Sequence, residues 1–151
     1  VDAGWFESQA DTDGWPTQTL GGVKPGDIKY IDINGDGKID SNDEKPIGWA
    51  AVPEIVYGFG LSAAWKGLDC SVFFQGAGHV TLQQSGSAIQ AFSARNMMES
   101  GVYEDIYYNH WSEDNPNPNA KYPRLSIGSN KNNFRNSTFW QKDELSPFKN
   151  G

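Results

Sequence analysis

Hydrophobic and polar positions alternate most regularly between Glu54 and Gly76. In Glu54–Trp65 (EIVYGFGLSAAW), Ile55, Tyr57, Phe59, Leu61, Ala63 and Trp65 fall on one face. Val56, Gly58, Gly60, Ser62 and Ala64 fall on the other. A period of two places successive side chains on opposite faces of a strand. Lys66-Gly67 interrupts the run, and Leu68–Gly76 (LDCSVFFQG) alternates again. Leu68, Cys70, Val72 and Phe74 face one way, and Asp69, Ser71, Phe73 and Gln75 the other. Two alternating runs around a two-residue turn predict an antiparallel hairpin. Each run is about the length of a tilted barrel strand crossing a bilayer. One face is apolar, with Tyr57 and Trp65 near its ends, and the other is small or polar. An outer-membrane barrel has this pattern, with lipid outside and water or a plug inside. A half-buried hairpin in a soluble sandwich has it too, so the pattern alone leaves both open.

The flanks are less regular. Residues 1–26 are Gly, Pro, Thr, Gln and Asp with a few aromatics, and read as loop. Asp27–Ile33 alternates as a short strand, and Lys45-Pro46-Ile47-Gly48 closes that region. Gln84–Ser100 has room for a short helix carrying Ile89, Phe92, Met97 and Met98. Tyr103–Trp111 (YEDIYYNHW) reads either as a packed helix or strand, or as an aromatic surface on which sugar rings stack. Pro116, Pro118 and Pro123 stiffen the next stretch, and Ser137-Thr138-Phe139-Trp140 reads as the start of another strand. An irregular connection over 77–137 is longer than a compact soluble domain carries. It suits a barrel with short turns at one end and long loops at the other.

Between the first loop and the hairpin lies Asp32–Asp43, DINGDGKIDSND. Asp32, Asn34, Asp36, Asp40 and Asp43 put oxygen side chains at loop positions 1, 3, 5, 9 and 12, and Gly37 falls at position 6. This is the spacing of a calcium loop of the EF-hand kind, in which hard oxygen ligands converge on one point. Asp32, Asn34 and Asp36 offer ligands from alternate positions, and the Lys38 carbonyl adds one. Asp40 acts directly or through water, and Asp43 completes the shell. Gly37 permits the sharp turn, and Ile39 is expected to point inward as an anchor. Position 12 is Asp in place of the longer Glu, a form closer to a dockerin loop. The same residues also make an ordinary Asn-Gly-Asp-Gly turn without an ion.

Composition narrows the function. The chain of 151 residues has room for one domain, but only 37% of it is hydrophobic, below the usual share of about 45–50%. Seventeen glycines and 13% aromatic residues suit an all-β protein with long polar loops. A net charge of −7 gives no basic patch to neutralise phosphates, which argues against nucleic-acid binding. The single cysteine, Cys70, excludes an internal disulfide and a cysteine-based zinc site, and reads as buried or lipid-facing packing. His79 and His110 are too few and too scattered for a metal cluster. No helix-type stretch of about 20 apolar residues is present, which says nothing against barrel strands. No signal peptide opens the chain, and a start at Val1 fits a fragment or a processed product. The acid pairs Glu104/Asp105 and Glu113/Asp114 read as solvated surface, since a catalytic dyad faces across its substrate. The expectation is a protein that is not an enzyme.

The chain resembles the C-terminal part of the barrel in SusC/RagA-type TonB-linked outer-membrane transporters of Bacteroidetes. PGDIKYIDINGDGKID (25–40), PIG (46–48), YGFGLSAAWKGLDCSVFFQG (57–76), NPNAKYPRL (117–125) and NSTFW (136–140) carry the resemblance, in the family's order. It implies antiparallel strands of a partial transmembrane β-barrel with long extracellular loops. Residues 1–53 become an extracellular loop, 54–76 a membrane hairpin, 77–137 a long extracellular loop and 138–151 the start of the next strand. It also implies a SusD-like lipoprotein as partner, and TonB acting through an N-terminal part outside this chain. Oligosaccharide or peptide is the implied substrate, outer-membrane lipid the surroundings and the outer membrane the location. Gln141–Gly151 (QKDELSPFKNG) departs from the family, with Pro147 and no alternation. A second reading is a calcium-stabilised extracellular binding module, dockerin-like or carbohydrate-binding. Dockerins need two such loops, each followed by a helix, whereas this chain has one, followed by Pro46.

Overall fold

The computed structural model describes residues 1–86, 89–92, 101–128 and 130–143. Its contacts divide into two compact units. One joins Val1–Ile47 to Gln84–Trp140, and the other joins Gly48–Gln83 to the stretch beginning at Gln141.

The first unit replaces much of the expected loop with structure. Over residues 1–26 it has strand β1 (Asp2–Trp5), helix α1 (Gln9–Gly14) and strand β2 (Thr17–Gln18). Two features hold this stretch in place. The Ser8 hydroxyl caps α1 by accepting from the Asp11 N–H at 3.2 Å, satisfying one of the orphan donors of a helix start. Trp5 and Phe6 are buried, so two aromatics in a polar segment supply an anchor. The expected short strand is β3 (Ile28–Tyr30), which pairs antiparallel with β1, Asp2 opposite Tyr30 and Trp5 opposite Ile28. Strand β4 (Lys38–Ile39) lies parallel to β2, a two-residue departure from an all-antiparallel scheme.

A core of Trp5, Ile28, Tyr30, Ile39, Trp111 and Trp140 gathers residues from both segments of this unit. Burial of an aliphatic side chain such as Ile28 or Ile39 stabilises by roughly 1.5–3 kcal/mol. The region read as a packed element carries helix α2 (Glu104–Asn109), with Ile106 buried. The helix expected over 84–100 falls largely on residues outside those described. The described part is a turn in which Ile89 and Gln90 both donate to the Gly86 carbonyl, at 3.1 and 2.8 Å.

The second unit holds the hairpin. Strand β5 (Ile55–Trp65) pairs with β6 (Leu68–Gly78) through eleven antiparallel pairs, from Ile55–Gly78 to Trp65–Leu68. Lys66 and Gly67 turn the chain with φ of 48° and 85°. Both central residues at positive φ match the twist of the flanking strands. Aromatic rings cover glycines on both faces. A Cβ built on Gly76 would lie 2.4 Å from the Tyr57 ring, and one on Gly60 would lie 3.2 Å from the Phe73 ring. The ring therefore occupies the space a side chain would otherwise fill and helps pin the register.

Strand β7 (Thr81–Gln83) pairs antiparallel with β8 (Gln141–Asp143). The strand expected from Ser137 thus begins at Gln141. Before it, Trp140 donates to the Ser137 carbonyl at 3.1 Å in a turn, and the Trp140 indole is buried. Strands outnumber helices, and three of the four described sheets are antiparallel, so the architecture is all-β. Each described sheet has two strands.

Candidate functional site

The acidic loop rises from a buried polar seam. Asp27, at the foot of β3, is fully buried. Its carboxylate accepts from Arg124 Nε and Nη2 at 3.1 and 3.0 Å, from Asn130 Nδ2 at 3.1 Å and from Asn133 Nδ2 at 2.8 Å. The Lys24 N–H adds a fifth donor at 2.9 Å. Beside it, Asn132 Nδ2 donates to the Ile28 carbonyl at 2.9 Å, and Gln18 Nε2 donates to Asn132 Oδ1 at 2.8 Å. The Tyr30 hydroxyl donates to the Asn132 carbonyl at 2.8 Å, and burial pushes its pKa up to about 12. Buried polar groups require partners of this kind, because an unsatisfied one costs about 1–3 kcal/mol. Sequence reading missed the seam. The signal was the polar run Asn130-Lys131-Asn132-Asn133, which looks like a solvated loop.

Above the seam, Asp32–Asp43 is closed by its own carboxylates. Asp32 accepts from the Gly35 N–H at 2.6 Å and the Gly37 N–H at 2.8 Å. Asn34 Oδ1 accepts from the Asp36 N–H at 2.9 Å, and Asp36 Oδ1 accepts from the Lys38 N–H at 2.9 Å. Gly37 has φ of 82°, the left-handed turn expected at position 6. Ile39 is 1% exposed, so it anchors the loop in the core as its position 8 implied. Asp40 Oδ1 accepts from the Asn42 N–H at 2.7 Å and caps a single 3₁₀ turn, Ser41–Asp43.

Asp43 is the knot of the loop. Its Oδ1 accepts from the Ile33 and Asn34 N–H groups at 2.8 and 3.3 Å, and its Oδ2 from the Asp40 N–H at 2.9 Å. The Asp40 N–H, followed by those of Ile33 and Asn34, holds the Asp43 pKa below the usual carboxylate range, against burial. Position 12 of the loop therefore closes on the backbone of positions 2 and 3. All the predicted donors are oxygens, which suits a hard cation such as calcium. Each carboxylate oxygen carries more than one acceptor site, so the N–H bonds leave lone pairs over. Among the described residues, no group of three or more His, Cys, Asp or Glu side chains is arranged as a ready metal site. The loop thus stands folded on its own hydrogen bonds, and any cation would draw also on Asn34 and main-chain oxygen.

The hairpin is the second feature. Every residue of β5 is exposed, and so is β6 except at Gly76 and Gly78. On its apolar face Leu61 is 74% exposed, Trp65 70% and Leu68 69%. Cys70 lies on this face, opposite Ala63. A contiguous apolar surface of this kind marks contact with lipid or protein in place of water. Connections differ sharply in length. Two residues link β5 to β6, whereas residues 84–140 link β7 to β8.

The aromatic stretch 103–111 divides in two. Tyr103, Tyr107 and Tyr108 are exposed, but Trp111 is buried and packs over Gly26. The stacking surface read from the sequence therefore loses its indole to the core and keeps three phenols. His110 Nδ1 lies 2.7 Å from the Tyr107 carbonyl, and His79 stacks on Trp49 at 4.1 Å, so the histidines serve separate local contacts.

No protein-family model matches the chain. Over 51 residues it is 41% identical to a protein of Formosa agariphila named TonB-dependent receptor P26. Those residues make up 34% of this chain and 5% of that receptor, so the chain spans a small part of the relative it matches. The likeness is to a protein named as a TonB-dependent receptor, over about a third of this chain.

Proposed function

We propose that this chain is part of a TonB-linked outer-membrane importer of the SusC/RagA type, from the C-terminal part of its barrel. The exposed apolar face of β5–β6 is the observation that carries the reading. Eleven residues per strand match the roughly 9–11 of a tilted barrel strand, and apart from Val56 and Phe73, whose ring lies over Gly58 and Gly60, the opposite face is small or polar. The two-residue turn against the long 84–140 connection supports a periplasmic turn and extracellular loops. The similarity to a TonB-dependent receptor agrees with this class.

In this reading residues 1–53 and 77–137 are extracellular, 54–76 crosses the membrane and the strand after Trp140 re-enters it. A SusD-like lipoprotein and an oligosaccharide or peptide substrate meet the extracellular residues. TonB acts through a part outside this chain. Calcium, held by Asp32, Asn34, Asp36, the Lys38 carbonyl, Asp40 and Asp43, is a structural clamp that offsets repulsion between the Asp32 and Asp43 carboxyls.

The test is topological. An epitope placed in the full gene product between Lys66 and Gly67 should be hidden from antibody on intact cells. One placed at Gly35 should be reached. Recovery of the product in the soluble fraction, or antibody access to both epitopes alike, overturns the reading.

A further inference from the structure

Beside α2 lies an open cavity of about 330 Å³, lined by Ile89, Tyr103, Glu104, Asp105, Ile106 and Tyr122. Its size falls in the range of small-ligand sites, about 300–1,000 Å³. Ile106 is buried, whereas Tyr103 is 63% exposed and offers its ring to solvent. Two carboxylates line this aromatic and aliphatic space, and they are not equivalent. Asp105 accepts from Lys121 Nζ at 2.8 Å, from the Tyr122 hydroxyl at 2.7 Å and from Asn109 Nδ2 at 2.9 Å. Those donors hold it ionised and fix its position, and they also use up the charge of Lys121. Glu104 has no hydrogen bond or ion pair among the described residues. Among the described residues the cavity therefore keeps one carboxylate without a partner, beside aromatic rings whose faces are electron-rich.

We infer that this cavity binds an organic cation on an apolar stem, the chemistry of an arginine or lysine side chain. The stem would lie against Ile106 and the tyrosine rings. The head would pair with Glu104 and gain cation–π attraction from Tyr103. An anion is repelled by both carboxylates, and a purely aliphatic group would leave Glu104 without a partner. The inference does not rest on the transporter reading, because the cavity belongs to the first unit alone and would persist in a soluble chain.

The experiment is calorimetric titration of the whole chain with N-acetyl-arginine amide. Its neutral isostere N-acetyl-citrulline amide and the disaccharide maltose serve as comparison probes. The arginine probe should bind at least about tenfold more tightly than either, and added salt should weaken it. Glu104→Gln should lower its affinity by about tenfold, and Tyr103→Ala should lower it while Tyr103→Phe keeps it. Near-UV circular dichroism checks that each variant is folded, and Glu104 is exposed, so its substitution disturbs no packing. Equal binding of the citrulline probe, preference for maltose, or unchanged affinity in Glu104→Gln overturns the inference.

Discussion

Arg124 grips Asp27 with two parallel bonds, Nε to Oδ1 at 3.1 Å and Nη2 to Oδ2 at 3.0 Å, across 97 residues of sequence. The pair joins the segment before the hairpin to the segment after it. Asp27 is fully buried, and Asn130 and Asn133 complete its shell. Removing one partner of a buried pair strands the other, at a cost of about 3–5 kcal/mol. Asp27→Ala should therefore lower the stability of the first unit by about that amount. Urea unfolding followed by tryptophan fluorescence measures it, since Trp111 and Trp140 lie in the same core. A loss below about 1 kcal/mol would show that the pair is dispensable.

Gly26 adjoins this pair and has a separate constraint. Its φ is 83°, and a Cβ placed there would lie 2.1 Å from the Trp111 ring. Gly26→Ala combines left-handed strain with overpacking, so a destabilisation of roughly 2–5 kcal/mol is expected. The Trp111 emission spectrum should shift as the indole is displaced. An unchanged midpoint would mean that the ring moves aside freely.

Acid should loosen the acidic loop in a defined direction. The Asp43 pKa is lowered first by the Asp40 N–H and then by the N–H groups of Ile33 and Asn34. Its folded pKa lies below its unfolded value, near 3.9. The stabilisation is thus complete above that value and is lost as pH falls through the folded pKa. Wild type should lose more stability than Asp43→Asn between about pH 5 and pH 2, although the variant is the weaker at pH 7. Parallel losses in the two proteins would remove Asp43 from the account.

How much of this could be read from sequence depended on the kind of signal. The hairpin was legible because period-two alternation and a Lys-Gly turn are local, and its register follows from them. The calcium-type loop was legible in its glycines and in Ile39, whose burial follows from position 8. The first unit was not legible. Trp5, Trp111 and Trp140 sit in short aromatic clusters separated by long polar stretches, and such clusters carry no period. Only the fold shows that they converge. Asn132 and Asn133 carry no sequence signal of burial, because their partners, Gln18, Asp27 and Ile28, are more than a hundred residues away.

Calcium binding to the loop can be measured directly. Calorimetric titration of the chain should give a dissociation constant on the order of 10⁻⁴–10⁻³ M, the range of extracellular modules. Asp32→Ala and Asp36→Ala should each abolish the heat. Asp32→Ala also removes the acceptor for the Gly35 and Gly37 N–H groups, so circular dichroism must confirm that the fold remains. If both variants bind calcium as wild type does, the assignment of the loop fails.

The hairpin offers the sharpest contrast, because neighbouring residues on one strand face different surroundings. Leu61 lies on the apolar face opposite Val72, and Ser62 lies on the other face opposite Ser71. If the apolar face meets lipid, Leu61→Arg places a charge in hydrocarbon and should destabilise the full barrel by about 2–4 kcal/mol in vesicles. Ser62→Arg, one residue along, should cost much less, because its side chain faces water or a plug. Urea titration of the barrel folded into vesicles reads both. A soluble sandwich that covers the apolar face with protein would also penalise Leu61→Arg, but it would fold without vesicles. Equal penalties at the two positions would show that the faces do not differ, and the alternation along β5 would lose its meaning.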